Sequence, residues 1–119
     1  MSGRKRFNKD GRPLEYGVKE DIKAVLDSLP HCFYFMPSAG VFGISGVSDF
    51  IGLCNGRFFA VEAKRDDKPT PTVPQRIFLA AIRRARGFAR RIDATNVHTL
   101  RQLLVAHCGL VETGDLSQG

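Results

Sequence analysis

The chain has 119 residues, with 18 lysines and arginines against 12 aspartates and glutamates for a formal net charge of +6. That length holds one core and excludes a multi-domain architecture, while 43% hydrophobic and 25% charged residues place the chain in the globular range. No apolar run approaches the ~18–20 residues that cross a bilayer, and no apolar segment follows the basic start MSGRKRFNKDGR, so a soluble, cytoplasmic protein without membrane contact is expected.

Residues 1–13 read as a flexible basic arm, and a single domain is expected over 14–111. Leu14, Val18, Ile22, Val25, Leu26 and Leu29 recur at helical spacing, which predicts a first helix over Leu14 to Leu29, stopped by Pro30. With Glu15 set at 0° and each residue advancing about 100°, the apolar face centres near roughly 320°. Glu15 points with that face, whereas Glu20 points to solvent. Cys32 to Met36 is aromatic-rich and bounded by Pro30 and Pro37, the pattern of a strand. The glycine-rich stretch from Pro37 to Ser48 lacks both the P-loop ending and the dinucleotide spacing, and reads as a connecting loop.

Asp49 to Cys54, Asn55-Gly56, and Arg57 to Lys64 form the most informative part of the sequence. Asn-Gly between two apolar runs predicts a hairpin with a two-residue type I′ turn, so that Cys54 pairs with Arg57 and opposed residue numbers sum to 111. In that register Glu62 lies across from Asp49. Lys64, two residues on, shares a sheet face with Glu62.

After the polar loop Arg65 to Pro69, Thr72-Val73-Pro74-Gln75 has the T-x-x-Q form of a capping box. A second helix is expected over Val73 to Arg86, with Ile77, Phe78, Ala81, Ile82 and Ala85 as its packing stripe and Gly87 as its stop. Phe88 to Ile92 reads as a strand, Val97 to Leu104 as a last short helix, and 112–119 as a flexible tail. Arg76, Arg83, Arg84 and Arg86, with Lys68 before them, make a basic region suited to tracking phosphates, arginine especially because its planar guanidinium grips them bidentately. Cys32, Cys54 and Cys108 have no C-x-x-C spacing and read as buried reduced thiols. The three histidines are scattered, with no zinc-ligand spacing.

Two carboxylates directly opposed on neighbouring strands repel unless something neutralises them. An acidic pair with no nearby histidine suits Mg²⁺ or Mn²⁺, bound through a few carboxylate oxygens, water and substrate phosphate. Lys64 beside them would hold an attacking hydroxide or stabilise charge on a phosphorane, while the metal activates the water. Gln75 serves either the capping box or that site.

These residues together resemble the VRR-NUC domain, a compact branch of the PD-(D/E)XK nuclease superfamily. The likeness runs from about Leu14 to Leu104. It rests on Glu15, Phe35-Met36-Pro37 before the glycine-rich loop, Gly46-Val47-Ser48-Asp49-Phe50, Gly56 through Lys64, and Thr70-Pro71 leading to Gln75. Ser48 stands where the family usually has proline, and Ala63 where a β-branched residue is common. The resemblance implies an α/β fold with a restriction-endonuclease-like core, a mixed central sheet flanked by helices. It further implies Asp49, Glu62, Glu15 and the Ala63 backbone carbonyl as metal ligands, Lys64 as the catalytic lysine and Gln75 as an ordering residue. The activity implied is Mg²⁺- or Mn²⁺-dependent hydrolysis of DNA phosphodiesters, structure-selective in the family's small dimeric members. A DNA partner and a homodimer are expected accordingly. The alternative is a non-catalytic nucleic-acid-binding module using the arginine-rich second helix.

Overall fold

The computed structural model describes residues 15–38, 43–64 and 70–110, without the side chains of Glu15 and Tyr16. The arm over 1–13, the tail over 112–119 and Lys68 lie outside the described residues.

The elements in chain order are α1 (Glu15–Asp27), β1 (Cys32–Phe35), β2 (Phe50–Cys54), β3 (Arg57–Ala63), α2 (Val73–Arg84), β4 (Phe88–Ile92) and α3 (Leu100–Cys108), the last preceded by one 3₁₀ turn at Val97–Thr99. The four strands form a mixed sheet in the order β1-β2-β3-β4. The first two pairings are antiparallel; α2 carries the chain across so that β4 runs parallel to β3. The fold is mixed α/β.

The hairpin register matches the sequence reading, with Cys54 opposite Arg57 and Phe50 opposite Val61. Asn55 at φ 53° and Gly56 at φ 80° supply the two positive φ angles of a type I′ turn. Alternation then sorts the sheet into two faces. Phe50, Cys54, Phe59, Val61 and Ala63 join Val18, Ile22 and Leu26 of α1 and Leu100, Leu104 and Cys108 of α3 in the main core. On the opposite face Ile51, Ala60 and Ala89 meet Leu79 of α2 in a smaller cluster. The larger core holds the sheet rigid from one side, and the other face remains partly open.

Several boundaries differ from the sequence expectation. The first helix ends at Asp27 rather than Leu29, although Leu29 is buried in the turn that follows. The first strand stops at Phe35, one residue before Met36. The second helix ends at Arg84, not Arg86, and its stop is Arg86 rather than Gly87. Arg86 takes φ 77°, Gly87 N–H donates to Ile82 C=O at 2.9 Å and Arg86 N–H to Arg83 C=O at 2.9 Å, which together make a Schellman motif. Gly87 serves packing instead: an added Cβ would sit 2.8 Å from Ile82 Cγ2.

The packing stripe of α2 also differs. Leu79 is buried, whereas Ile77, Ala81 and Ala85 are exposed. The inward face is Gln75, Phe78, Leu79 and Ile82, a regular i, i+3, i+4, i+7 set whose first member is polar. Gln75 faces inward because its partner lies on β3.

Candidate active site

β2 begins one residue after Asp49, and β3 ends one residue after Glu62. Asp49 immediately precedes β2, and its Oδ2 accepts the Ala63 N–H at 2.8 Å, so the side chain is seated on the end of β3. In an extended residue the N–H and C=O point to the same edge. The Ala63 carbonyl is therefore turned toward the Asp49 side as well, where the resemblance expects a backbone ligand. Lys64 faces the other way with its main chain, donating its N–H to Ile92 C=O at 2.9 Å and tying the strand end to β4.

Glu62 is only 2% exposed. A carboxylate taken from water needs compensation, and among the described residues Gln75 and Lys64 contribute to it. Gln75 Nε2 donates to Glu62 Oε2 at 2.8 Å, and Lys64 Nζ lies 3.7 Å from the same oxygen. The Gln75 amide is fixed from its other end, because Oε1 accepts the Thr72 N–H at 2.9 Å while Gln75 N–H donates to Thr72 Oγ1 at 3.3 Å. One amide thus closes the capping box and reaches Glu62. The amide orientation follows from the donors: the oxygen faces an N–H, so the NH₂ faces the carboxylate. The capping box thereby holds a buried acid in place.

The glycine-rich loop supplies the adjoining wall. Gly46 has φ 77°, and a Cβ there would collide with the Pro74 backbone, so the loop lies directly on the first turn of α2. Between them opens a cleft of about 540 Å³ lined by Pro37, Ser45, Gly46, Thr72, Pro74 and Gln75 among others. The cleft borders the residue that holds Glu62.

Lys19 was not anticipated. Its Nζ is 3.7 Å from Asp49 Oδ1, giving the second carboxylate an ammonium of its own. In the sequence Lys19 is one helical turn from Glu15 and shares its side of the helix, a spacing that does not by itself place it at Asp49. Glu15 opens α1, but its side chain is outside the description. Glu20 points away as expected, half-exposed and paired with Lys23 at 3.1 Å.

The donor set is all oxygen and acidic. Among the described residues no group of three or more His, Cys, Asp or Glu side chains gathers to hold a metal. A pair of carboxylates with a nearby carbonyl nevertheless fits Mg²⁺, which keeps several waters and takes one or two carboxylates plus substrate phosphate. The arginines divide. Arg76, Arg84, Arg86 and Arg90 are exposed around α2 and β4, whereas Arg83 Nε donates to Ala89 C=O at 2.9 Å and Arg91 Nη1 binds Asp93 at 2.7 Å. Arg91 and, in part, Arg83 are structural. Burial works against the Asp93 charge, but hydrogen bonds from Thr95 and Arg91 outweigh it and hold that carboxyl below its usual range.

Compared with known proteins, the chain matches no protein-family model, no curated protein and no solved structure. No described helix is long and apolar enough to cross a membrane.

Proposed function

We propose that the protein is a divalent-metal-dependent endonuclease acting on DNA phosphodiesters, built on a restriction-endonuclease-like core of the VRR-NUC type. The observation that carries this reading is the burial of Glu62 beside Asp49. An ordinary solvent-facing hairpin would leave both acids in water, yet here one is 2% exposed and gripped by a helix-capping glutamine. Burying charge without a chemical use is costly.

In this reading Asp49 and Glu62, with the Ala63 carbonyl and Glu15, would hold Mg²⁺ or Mn²⁺. When bound, such an ion supplies Lewis acidity at a phosphoryl oxygen and activates water. Asp49 is kept in place by the Ala63 N–H, and Glu62 by Gln75. Lys64 carries its ammonium at the same end of the sheet, where it would stabilise charge on the phosphoryl oxygens as the bond to the leaving oxygen breaks. The exposed arginines Arg76, Arg84 and Arg86 would track the backbone by phosphate contacts that carry no sequence information.

We further propose a second copy of the chain as partner, seated on the open sheet face. Phe33, Leu53 and Phe58 are cross-strand neighbours in a row over β1, β2 and β3, with exposures of 67%, 47% and 36%. With Phe35 and Ile44 they present roughly 500 Å² if each aromatic side chain carries about 150–250 Å². That is more than half of the ~800 Å² per partner of a standard interface. A groove of about 470 Å³ between Phe35, Ile51, Phe58, Phe78 and Ile82 offers a seat for an opposing aromatic.

The metal claim is tested by thermal unfolding with Mg²⁺, Mn²⁺ or Ca²⁺ added. The expected result is a rise in Tm that is lost in Asp49→Asn. An identical rise in that variant, or none in the native chain, contradicts the site; DNA binding without any metal effect would favour a non-catalytic binder on the arginines.

A further inference from the structure

The three cysteines are far apart in sequence, and the fold gathers them at one end of the main core. Cys32 of β1 pairs with Cys54 of β2, and Cys108 closes α3 in the same cluster. All three are free thiols. The Cys54 thiol donates to Pro30 C=O at 3.9 Å.

The pairing of Cys32 with Cys54 is the kind that brings side chains closest. Asn55 N–H donates to His31 C=O at 2.9 Å, and this bond between the flanking residues marks Cys32 and Cys54 as a non-hydrogen-bonded antiparallel pair. Such pairs have Cα atoms about 4.5 Å apart, within the ~4.4–6.8 Å that a disulfide spans. Both side chains point to the same sheet face. Cys32 is partly exposed, whereas Cys54 and Cys108 are fully buried, so an oxidant entering from solvent meets Cys32 first.

We propose that Cys32 and Cys54 form a reversible cross-strand disulfide on exposure to hydrogen peroxide, a covalent clamp across β1 and β2 that closes the segment containing Asp49. In the first step the Cys32 sulfur attacks a peroxide oxygen; the O–O bond breaks, and hydroxide leaves and takes the thiol proton as water. The Cys54 sulfur then attacks the resulting sulfenic sulfur, the S–O bond breaks, and the departing hydroxide takes the Cys54 proton. Two thiols are oxidised to one disulfide and one peroxide is reduced to two waters. A dithiol reverses the reaction by exchange.

Burial pushes the Cys32 thiol up to about 12, and the neighbouring Cys54 adds to the effect. Thiolate is therefore scarce at neutral pH and the clamp closes slowly, with a rate rising about tenfold per pH unit below that value. The inference is independent of the proposed nuclease activity.

The test treats the intact protein with hydrogen peroxide at two pH values, unfolds it, alkylates the remaining thiols and maps the peptides by mass spectrometry. The expected result is a fall from three alkylatable cysteines to one, with Cys32 joined to Cys54 and Cys108 free, faster at the higher pH and reversed by dithiothreitol. The oxidised protein should melt at higher temperature, and Cys108→Ser should leave the clamp intact. A Cys54–Cys108 linkage, a disulfide between chains, oxidation of Cys32 without loss of Cys54, or no change in thiol count would each overturn the proposal.

Discussion

At the scale of single residues, the site is a balance of two acids and two ammonium groups. Lys64 stands 3.7 Å from Glu62, and Lys19 stands 3.7 Å from Asp49. A cation arriving at Asp49 has to share that carboxylate with Lys19 or displace it. Lys19→Met is therefore expected to lower the metal-free Tm, because the acid pair loses a neutralising charge, and to enlarge the Mg²⁺-induced rise. Thermal unfolding across a magnesium titration checks this; a smaller rise than in the native chain contradicts it. The Lys19–Asp49 pair is partly open to water, so added salt should weaken the effect. Asp49, Glu62 and Lys64 were legible from the sequence because a two-residue Asn-Gly turn fixes every later pairing. Lys19 was not, since its meaning depends on where α1 crosses the sheet.

At the scale of elements, α2 shows how one local motif serves two purposes. Thr72 and Gln75 cap the helix reciprocally, and the same Gln75 amide continues to Glu62. Thr72→Ala and Gln75→Ala should each cost the capping contribution, about 1 kcal/mol. Their consequences should then separate. Gln75→Ala leaves a buried carboxylate short of a donor, so it should destabilise more than Thr72→Ala and also weaken the metal response, while Thr72→Ala should largely retain that response. Denaturant titration with and without Mg²⁺ makes the comparison, and equal losses in both variants would show that Gln75 is only a cap. The strands, the turn and the cap were readable because period-two alternation, paired positive φ and T-x-x-Q are local rules. The inward face of α2 was misread for a physical reason: a polar residue begins it, and hydrophobic periodicity alone rotated the stripe toward Ile77. Its C-terminus was misplaced because Arg86, not the neighbouring glycine, takes the left-handed conformation.

At the scale of the whole molecule, helices α1 and α3 cover one sheet face and α2 covers only part of the other. The acids and the open apolar row lie on that same second face, since Glu62 alternates in phase with Phe58 and Ala60. Pairing two copies through Phe33, Leu53 and Phe58 would remove the apolar surface from water and leave the arginines outside. Sedimentation should give twice the 13.2 kDa chain mass for the native protein and the single-chain mass for Leu53→Asp. A native monomer, or a dimer untouched by that substitution, contradicts the interface. The mixed sheet was expected from the family resemblance, but its open face was not, because exposure depends on how much of the sheet α2 spans. Hydrolysis is read by cleavage of end-labelled duplex, flap and four-way-junction DNA in Mg²⁺, Mn²⁺ and EDTA, with Lys64→Ala and Glu20→Ala alongside. Cutting is expected to require the metal, to disappear in Lys64→Ala while DNA binding persists, and to be unchanged in Glu20→Ala. Normal turnover in Lys64→Ala, or DNA bound but uncut under every metal condition, would contradict it.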